Sequence, residues 1–161
     1  MASLYKPIGG VTGVSLYRKS EVEAVRVAEG LCTGIDLGAG AAPLTVPLAE
    51  DRSSYTEESV GDGGLPATRH TLAIVCHRYP GREMFAGPLL EELATDGVLA
   101  CVELSNGERL IVGWSERLGF EQPLRLKKFR ILTGAKPVDV PLLELHLESI
   151  DAARALHYRP A

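Results

Sequence analysis

The clearest pattern of apolar and polar positions runs from Val98 to Trp114, where two apolar stretches flank Ser105-Asn106-Gly107. Stretches rich in β-formers on either side of an Asn-Gly pair predict a β-hairpin. The side chains select the loop. A two-residue Asn-Gly loop would set Val102 against Ile111 and Leu104 against Arg109, mixing apolar and polar residues on both faces. A three-residue loop with Gly107 in the left-handed region sets Leu104 opposite Glu108, Val102 opposite Leu110, Ala100 opposite Val112 and Val98 opposite Trp114. One face is then almost wholly apolar and anchored by Trp114, while Glu103 faces Arg109 on the other. A slip of one residue turns every side chain to the wrong face, so the three-residue loop is expected.

The remaining pattern extends this β-rich reading. Val11–Tyr17 alternates weakly as a first strand. Ser20 and Glu23 stand at capping-box spacing, although Val22, Val25 and Val27 would also suit a strand; a short helix or turn insertion is expected there. Between 31 and 48, two short strands are expected to form a hairpin around a Gly-Ala loop. Glu50–Ser59 is polar, with an outward-facing strand through Tyr55, and 61–66 reads as a loop by composition. Thr68–Arg78 is nearly continuously apolar in its middle, which predicts a strand covered on both faces. Phe85, Leu89 and Leu93, with Ala86, Leu90 and Ala94, form a helical stripe over Arg82–Asp96, and Gly97 sits at a C-cap. Pro88 marks either the start of that helix or a kink. In Leu124–Leu132 the alternation changes phase near Lys127-Lys128, which predicts a bulge. Leu143, Leu145 and Leu147 alternate with Glu144, His146 and Glu148 as a half-buried strand.

Six to eight strands and one principal helix, with no helix between most successive strands, predict a mostly antiparallel β-sandwich or partly closed β-barrel with one flanking α-helix. The 161 residues fit one domain, with an N-terminal arm (1–10), a loop (59–67) and a loosely held C-terminal tail (151–161). Seventeen glycines and ten prolines reinforce the turn-rich reading. A formal net charge of -4 gives no footprint for gripping phosphates, so DNA is expected only as passing cargo. Cys32, Cys76 and Cys101 are odd in number and far apart, which predicts a reducing origin and not a disulfide framework. Met1–Gly10 has no apolar h-region, and no apolar run reaches bilayer length, so neither a signal peptide nor a membrane anchor is expected.

Chemistry-bearing patterns are few. Gly34-Ile-Asp-Leu-Gly-Ala-Gly40 imitates the glycine-rich turn of methyltransferases that bind S-adenosylmethionine, but Pro43 and Pro47 would break the helix such a turn must open. His70 and His77 fall on opposite sides of a regular strand, which argues against a shared metal. Glu50, Asp51, Glu57, Glu58 and Asp62 lack the spacing of a calcium loop and read as a solvated acidic face. His146, among glutamates, is expected to titrate freely. No catalytic residue, cofactor or metal is expected, and the aromatic side chains Trp114, Tyr17, Tyr55, Tyr79 and Tyr158 leave a β-sandwich module for a small ligand or carbohydrate as a second reading, although the place of Trp114 on the apolar hairpin face points to the core. Candidate assembly segments are Tyr5, Lys6 and Pro7 in the arm, Tyr55, Asp62 in the loop, and Arg125, Lys127 and Lys128 on a basic strand face.

Tyr5-Lys-Pro-Ile-Gly-Gly10, Leu44-Thr-Val-Pro-Leu48 with the following residues to Tyr55, the strand–helix–hairpin order of 68–114, Gly113-Trp-Ser115, Glu121–Leu126 and Pro141–Ser149 carry a family resemblance. In their order, these features resemble small virion proteins of phages and prophages of Bacteroides-like bacteria, proteins associated with tails. The architecture is similar to the tail-tube superfamily, a β-sandwich or barrel with a flanking helix. The resemblance implies a non-enzymatic virion component, made in the bacterial host cytoplasm, that assembles with itself into stacked, hexameric rings and with other tail proteins.

Overall fold

The computed structural model describes residues 10–50, 52–61, 67–77, 85–133, 135 and 141–160. In chain order these form β1 (Val11–Arg18), a 3-10 turn (Lys19–Glu21), β2 (Val22–Ala28), β3 (Leu31–Leu37), β4 (Leu44–Thr45), β5 (Ser54–Val60) and β6 (Ala67–His77). Then come α1 (Gly87–Thr95), β7 (Val98–Leu104), β8 (Arg109–Val112), β9 (Arg125–Leu132), β10 (Leu142–Asp151) and β11 (Leu156–Tyr158). One sheet has seven strands in the order β2-β3-β11-β8-β7-β1-β4, the other four in the order β5-β6-β10-β9. Every pairing is antiparallel except that of β11 with β3. The molecule is mainly β, and among the described residues neither sheet closes on itself, so the barrel alternative does not describe it.

The core follows from alternation. Leu72, Ile74 and Cys76 of β6 and Leu143, Leu145 and Leu147 of β10 form apolar rows on one sheet. Val14, Leu16, Val98, Ala100, Val102 and Val112 face them from the other. Each fully buried Leu or Val contributes roughly 1.5–3 kcal/mol, which makes this interlayer the dominant stabilising feature. Helix α1 seals one side by burying Leu89 and Leu93. It begins at Gly87 with Pro88 in its first turn, shorter than the periodicity predicts, because proline suits a position whose N–H has no helical acceptor. Residues 82–84 lie outside the described residues. At its other end, the Gly97 N–H bonds to the Glu92 carbonyl at 3.1 Å.

The central hairpin has the three-residue loop. Ala100 faces Val112, Val102 faces Leu110 and Glu103 faces Arg109, with Gly107 at φ +91°. Trp114 departs from expectation. The chain leaves the ladder at Gly113, φ +96°, and Val98 exchanges hydrogen bonds with Leu124 instead, at 2.8 and 2.9 Å. Trp114 is therefore half-buried on the sheet's outer face, beside a smaller cluster of Cys32, Leu99 and Ile111.

Four other expectations are corrected. Residues 22–28 form a strand, since β-branched valines gain ladder bonds with β3 that an isolated helical turn could not supply. The segment 31–48 is not a hairpin: β3 pairs with β2 and β11, whereas β4 lies on the far edge against β1. Val46 is buried in the core, and the chain then crosses to the other sheet, where the Ala49 N–H bonds to the Val75 carbonyl. Ser59, Val60 and Ala67 belong to the β5–β6 pair, with Ser59 opposite Thr68 and Val60 opposite Ala67. The expected C-terminal tail contains β11, an interior strand of the larger sheet. In β9 the register passes from Lys128–His146 to Leu126–Leu147, leaving Lys127 as the extra residue of the bulge.

A Cβ on Gly113 would lie 2.7 Å from the Val98 carbonyl, whereas one on Gly30, φ +76°, meets nothing within 4 Å. We expect Gly113→Ala to lower unfolding free energy by about 2–4 kcal/mol and Gly30→Ala by about 1 kcal/mol. Equal urea midpoints for the two variants would contradict this account.

Candidate functional site

The densest polar arrangement lies where the smaller sheet meets the chain leading into β11. Alternation along β5 turns Tyr55 and Glu57 inward and leaves Thr56 and Glu58 exposed. Pairing with β6 sets Glu57 opposite His70. His70 is 3% exposed and stacks on Tyr55 with ring centroids 6.2 Å apart. The Tyr55 hydroxyl is 2.6 Å from His70 Nδ1 and 2.9 Å from Glu57 Oε1. His70 Nε2 lies 2.9 Å from the Ala153 carbonyl. Glu57 also receives the Ala155 N–H at 2.8 Å and Arg154 Nε at 2.9 Å.

Proton counting constrains this cluster. A carbonyl can only accept, so His70 Nε2 carries a proton. With a neutral ring, Nδ1 and Glu57 both compete for the single Tyr55 hydroxyl proton. With a charged ring, Nδ1 donates to the Tyr55 oxygen, and that hydroxyl donates to Glu57. One proton thus decides whether the three groups form a fully satisfied chain. Burial pushes the Glu57 carboxyl up, but the Ala155 N–H, Arg154 and Tyr55 outweigh it and hold the group below its ordinary value. Burial and then the Glu57 charge push the Tyr55 hydroxyl up.

These groups tether residues 153–155 to β5 and β6. A cavity of about 340 Å3 opens beside them, and Glu108 and His157 line both it and a neighbouring one of about 620 Å3. On the outer face of the larger sheet, Tyr17 and Tyr158 flank a groove of about 300 Å3 floored by Gly13, Ser15 and Cys101, with Glu103 and Arg109 on its rim. Burial, then Cys101, Tyr158 and Cys32, push the Tyr17 hydroxyl up to about 12.

The sequence-predicted residues are dispersed. Val98, Val102, Leu110 and Val112 are core, and half-buried Leu104 packs against it. Asn106 accepts the Glu108 N–H at 2.9 Å and so shapes the hairpin loop. Arg125 Nε donates to the Thr95 carbonyl at 3.2 Å and ties β9 to the end of α1, while Lys127 and Lys128 are exposed. Tyr5, Lys6, Pro7, Asp51, Asp62 and Tyr79 lie outside the described residues.

Two expectations change at these positions. Glu57 is not part of a solvated acidic face, since its side chain is 16% exposed and engaged as above, and Glu58 pairs with Arg69 at 2.9 Å. His146 is not isolated on its strand face: its Nε2 is 2.6 Å from Glu144, which also holds Arg130 at 2.8 Å. Arg130, then His146, hold the Glu144 carboxyl below its ordinary value. Gly34–Gly40 forms part of β3 and a turn; the Arg26 side chain lies across Gly34 and pairs with Asp36 at 3.3 Å. No helix follows it, so the dipole that would hold a cofactor is missing.

The partnership of Glu57, His70 and Arg154 was not visible in sequence. Alternation marks His70 as inward-facing, but only strand register puts Glu57 opposite it, and nothing local marks Arg154. No protein-family model, curated protein or solved structure matches the chain.

Glu57 is held below its ordinary value of 4.5, so its stabilising contribution is complete above that pH and is lost as the pH falls through its lower folded value. We expect Glu57→Gln to destabilise the protein by about 1.5–3 kcal/mol at neutral pH. The gap between wild-type and variant urea midpoints should narrow progressively below pH 4.5; a gap independent of pH would refute the charged tether.

Proposed function

We propose that this chain is a non-catalytic structural subunit of a phage tail, tail-tube-like in kind, that assembles with copies of itself into stacked rings. The observation that supports this reading best is the asymmetry of the four-stranded sheet. Its β9 edge spans eight residues, exposes Lys127, Lys128 and Arg130, and presents Ile131 at 46% exposure. Its β5 edge exposes Glu58, while Glu57 is turned inward. An open edge offers unpaired backbone donors and acceptors to a further strand. Lysines and a bulge discourage indiscriminate pairing, so a partner edge is favoured if it is acidic. Joining a basic edge to an acidic edge is a head-to-tail contact, the kind that closes into rings. The net charge of -4 also suits a conduit that must not retain DNA.

The groove between Tyr17 and Tyr158 favours a second reading, a β-sandwich module for a small ligand. Unchanged melting temperatures across a panel of oligosaccharides at millimolar concentration would dismiss it.

For the structural reading, negative-stain microscopy and sedimentation of concentrated protein should show rings or longer assemblies. The paired substitution K127E/K128E should dissolve them while leaving unfolding free energy within about 0.5 kcal/mol of wild type. A monomer persisting at concentrations on the order of hundreds of micromolar overturns the proposal.

A further inference from the structure

In the hydrogen-bonded ladder of the larger sheet, the β2–β3 hairpin reaches the other strands through β11. That bridge is short. His157 pairs with Leu31 and Tyr158 with Cys32 on one side, while Leu156 pairs with Ile111 and His157 with Leu110 on the other. The Arg159 N–H adds one more bond, to the Cys32 carbonyl at 2.8 Å. None of the three β11 side chains is fully buried. Leu156 and Tyr158 pack against the outer cluster of Cys32, Leu99 and Ile111, so the strand fills an interior slot through backbone bonding and two side-chain contacts that an identical segment of another molecule would reproduce.

The corner that feeds β11 is polar and incompletely satisfied. β10 ends at Asp151, 3% exposed, and residues 152–155 cross from the smaller sheet to the larger. Ser115 Oγ donates to Asp151 Oδ1 at 2.7 Å, but Oδ2 is buried without a hydrogen-bond partner among the described residues. A buried, unpartnered carboxylate oxygen destabilises this corner, and short connections are where strands exchange between molecules.

We propose that β11 is an exchangeable strand: residues 153–158 of one copy occupy the slot between β3 and β8 of a second copy, with Asp151-Ala152 as the hinge. The occupant is a second copy of this chain because the slot already accepts this sequence, and because the contacts of Ala153, Arg154 and Ala155 with His70 and Glu57 can be remade in trans. Opening the hinge adds no new interface chemistry, so exchange is nearly balanced and responds to concentration. This inference rests on the self-assembly reading and names the strand that links the subunits.

Light scattering on full-length chains with altered hinges tests it. Deleting Ala152, which shortens the hinge and keeps the Ala153 carbonyl, should raise the oligomeric fraction at least about tenfold, and inserting Gly-Gly-Ser after Ala152 should lower it by a similar factor. A second variant keeps the native hinge. His157 and Leu110 face each other across β11 and β8, close enough for a disulfide, so oxidised H157C/L110C should run as covalent dimers and larger ladders on a non-reducing gel. Only intrachain bonds at every concentration, with assemblies insensitive to hinge length, overturn strand exchange. If K127E/K128E still dissolves such assemblies, the structural reading survives that failure. Monomers throughout overturn both.

Discussion

Hydrogen bonds from Leu156–Tyr158 to β3 on one side and β8 on the other carry the continuity of the seven-stranded sheet. The β2–β3 hairpin bends away from β1 at the 3-10 turn and returns to the sheet's ladder through this strand. Because β11 pairs with Leu31 and Cys32, far away in sequence, it contributes long-range contacts whose loop-closure entropy must be met before they form. Glu57 and His70 offset part of that cost by fixing residues 153–155 directly before the strand. The tether and the strand act together: loss of the carboxylate loosens the connection on which the larger sheet depends.

The two sheets are stabilised differently. The smaller sheet has long partners, β6 and β10, whose leucine and isoleucine rows meet the hairpin across the core. The larger sheet interleaves the short strands β4, β8 and β11 with longer ones, is buried on its inner face by that core, and carries a second apolar cluster outside around Leu99 and Ile111. Charge is organised along strand surfaces. Arg130, Glu144 and His146 form one chain across β9 and β10, and Glu58, Arg69 and Glu148 another across β5, β6 and β10. Such exposed pairs contribute modestly to stability, so their stronger effect is on which edges can approach each other.

The proposed subunit combines a well-packed core with open edges. The interlayer packing holds the two sheets in place, while the β9 and β5 edges and the C-terminal strand offer backbone that another copy can use. The proposed edge pairing would use the smaller sheet, and the proposed exchange would place β11 in the larger one. A head-to-tail assembly therefore does not need to disturb the core between them.

Sequence alone determined the local structure. Alternation and the Asn-Gly loop fixed the register of the 98–112 hairpin, because a one-residue slip would expose its apolar face. The phase change at Lys127 located a bulge, and the leucines of 143–147 located a buried strand, since both are properties of consecutive residues. Tertiary structure decided what neighbours could not encode. Trp114 left the core face because Gly113 turned the chain and Leu124 took the place beside Val98. Residues 31–48 split between distant parts of one sheet, and a polar tail became an interior strand, because partners far away in sequence supplied the missing ladder bonds. The Glu57–Tyr55–His70–Arg154 cluster belongs to the same class. Each residue is unremarked in its own segment, and only the register of β5 on β6 and the return of the chain's end bring their charges and protons together.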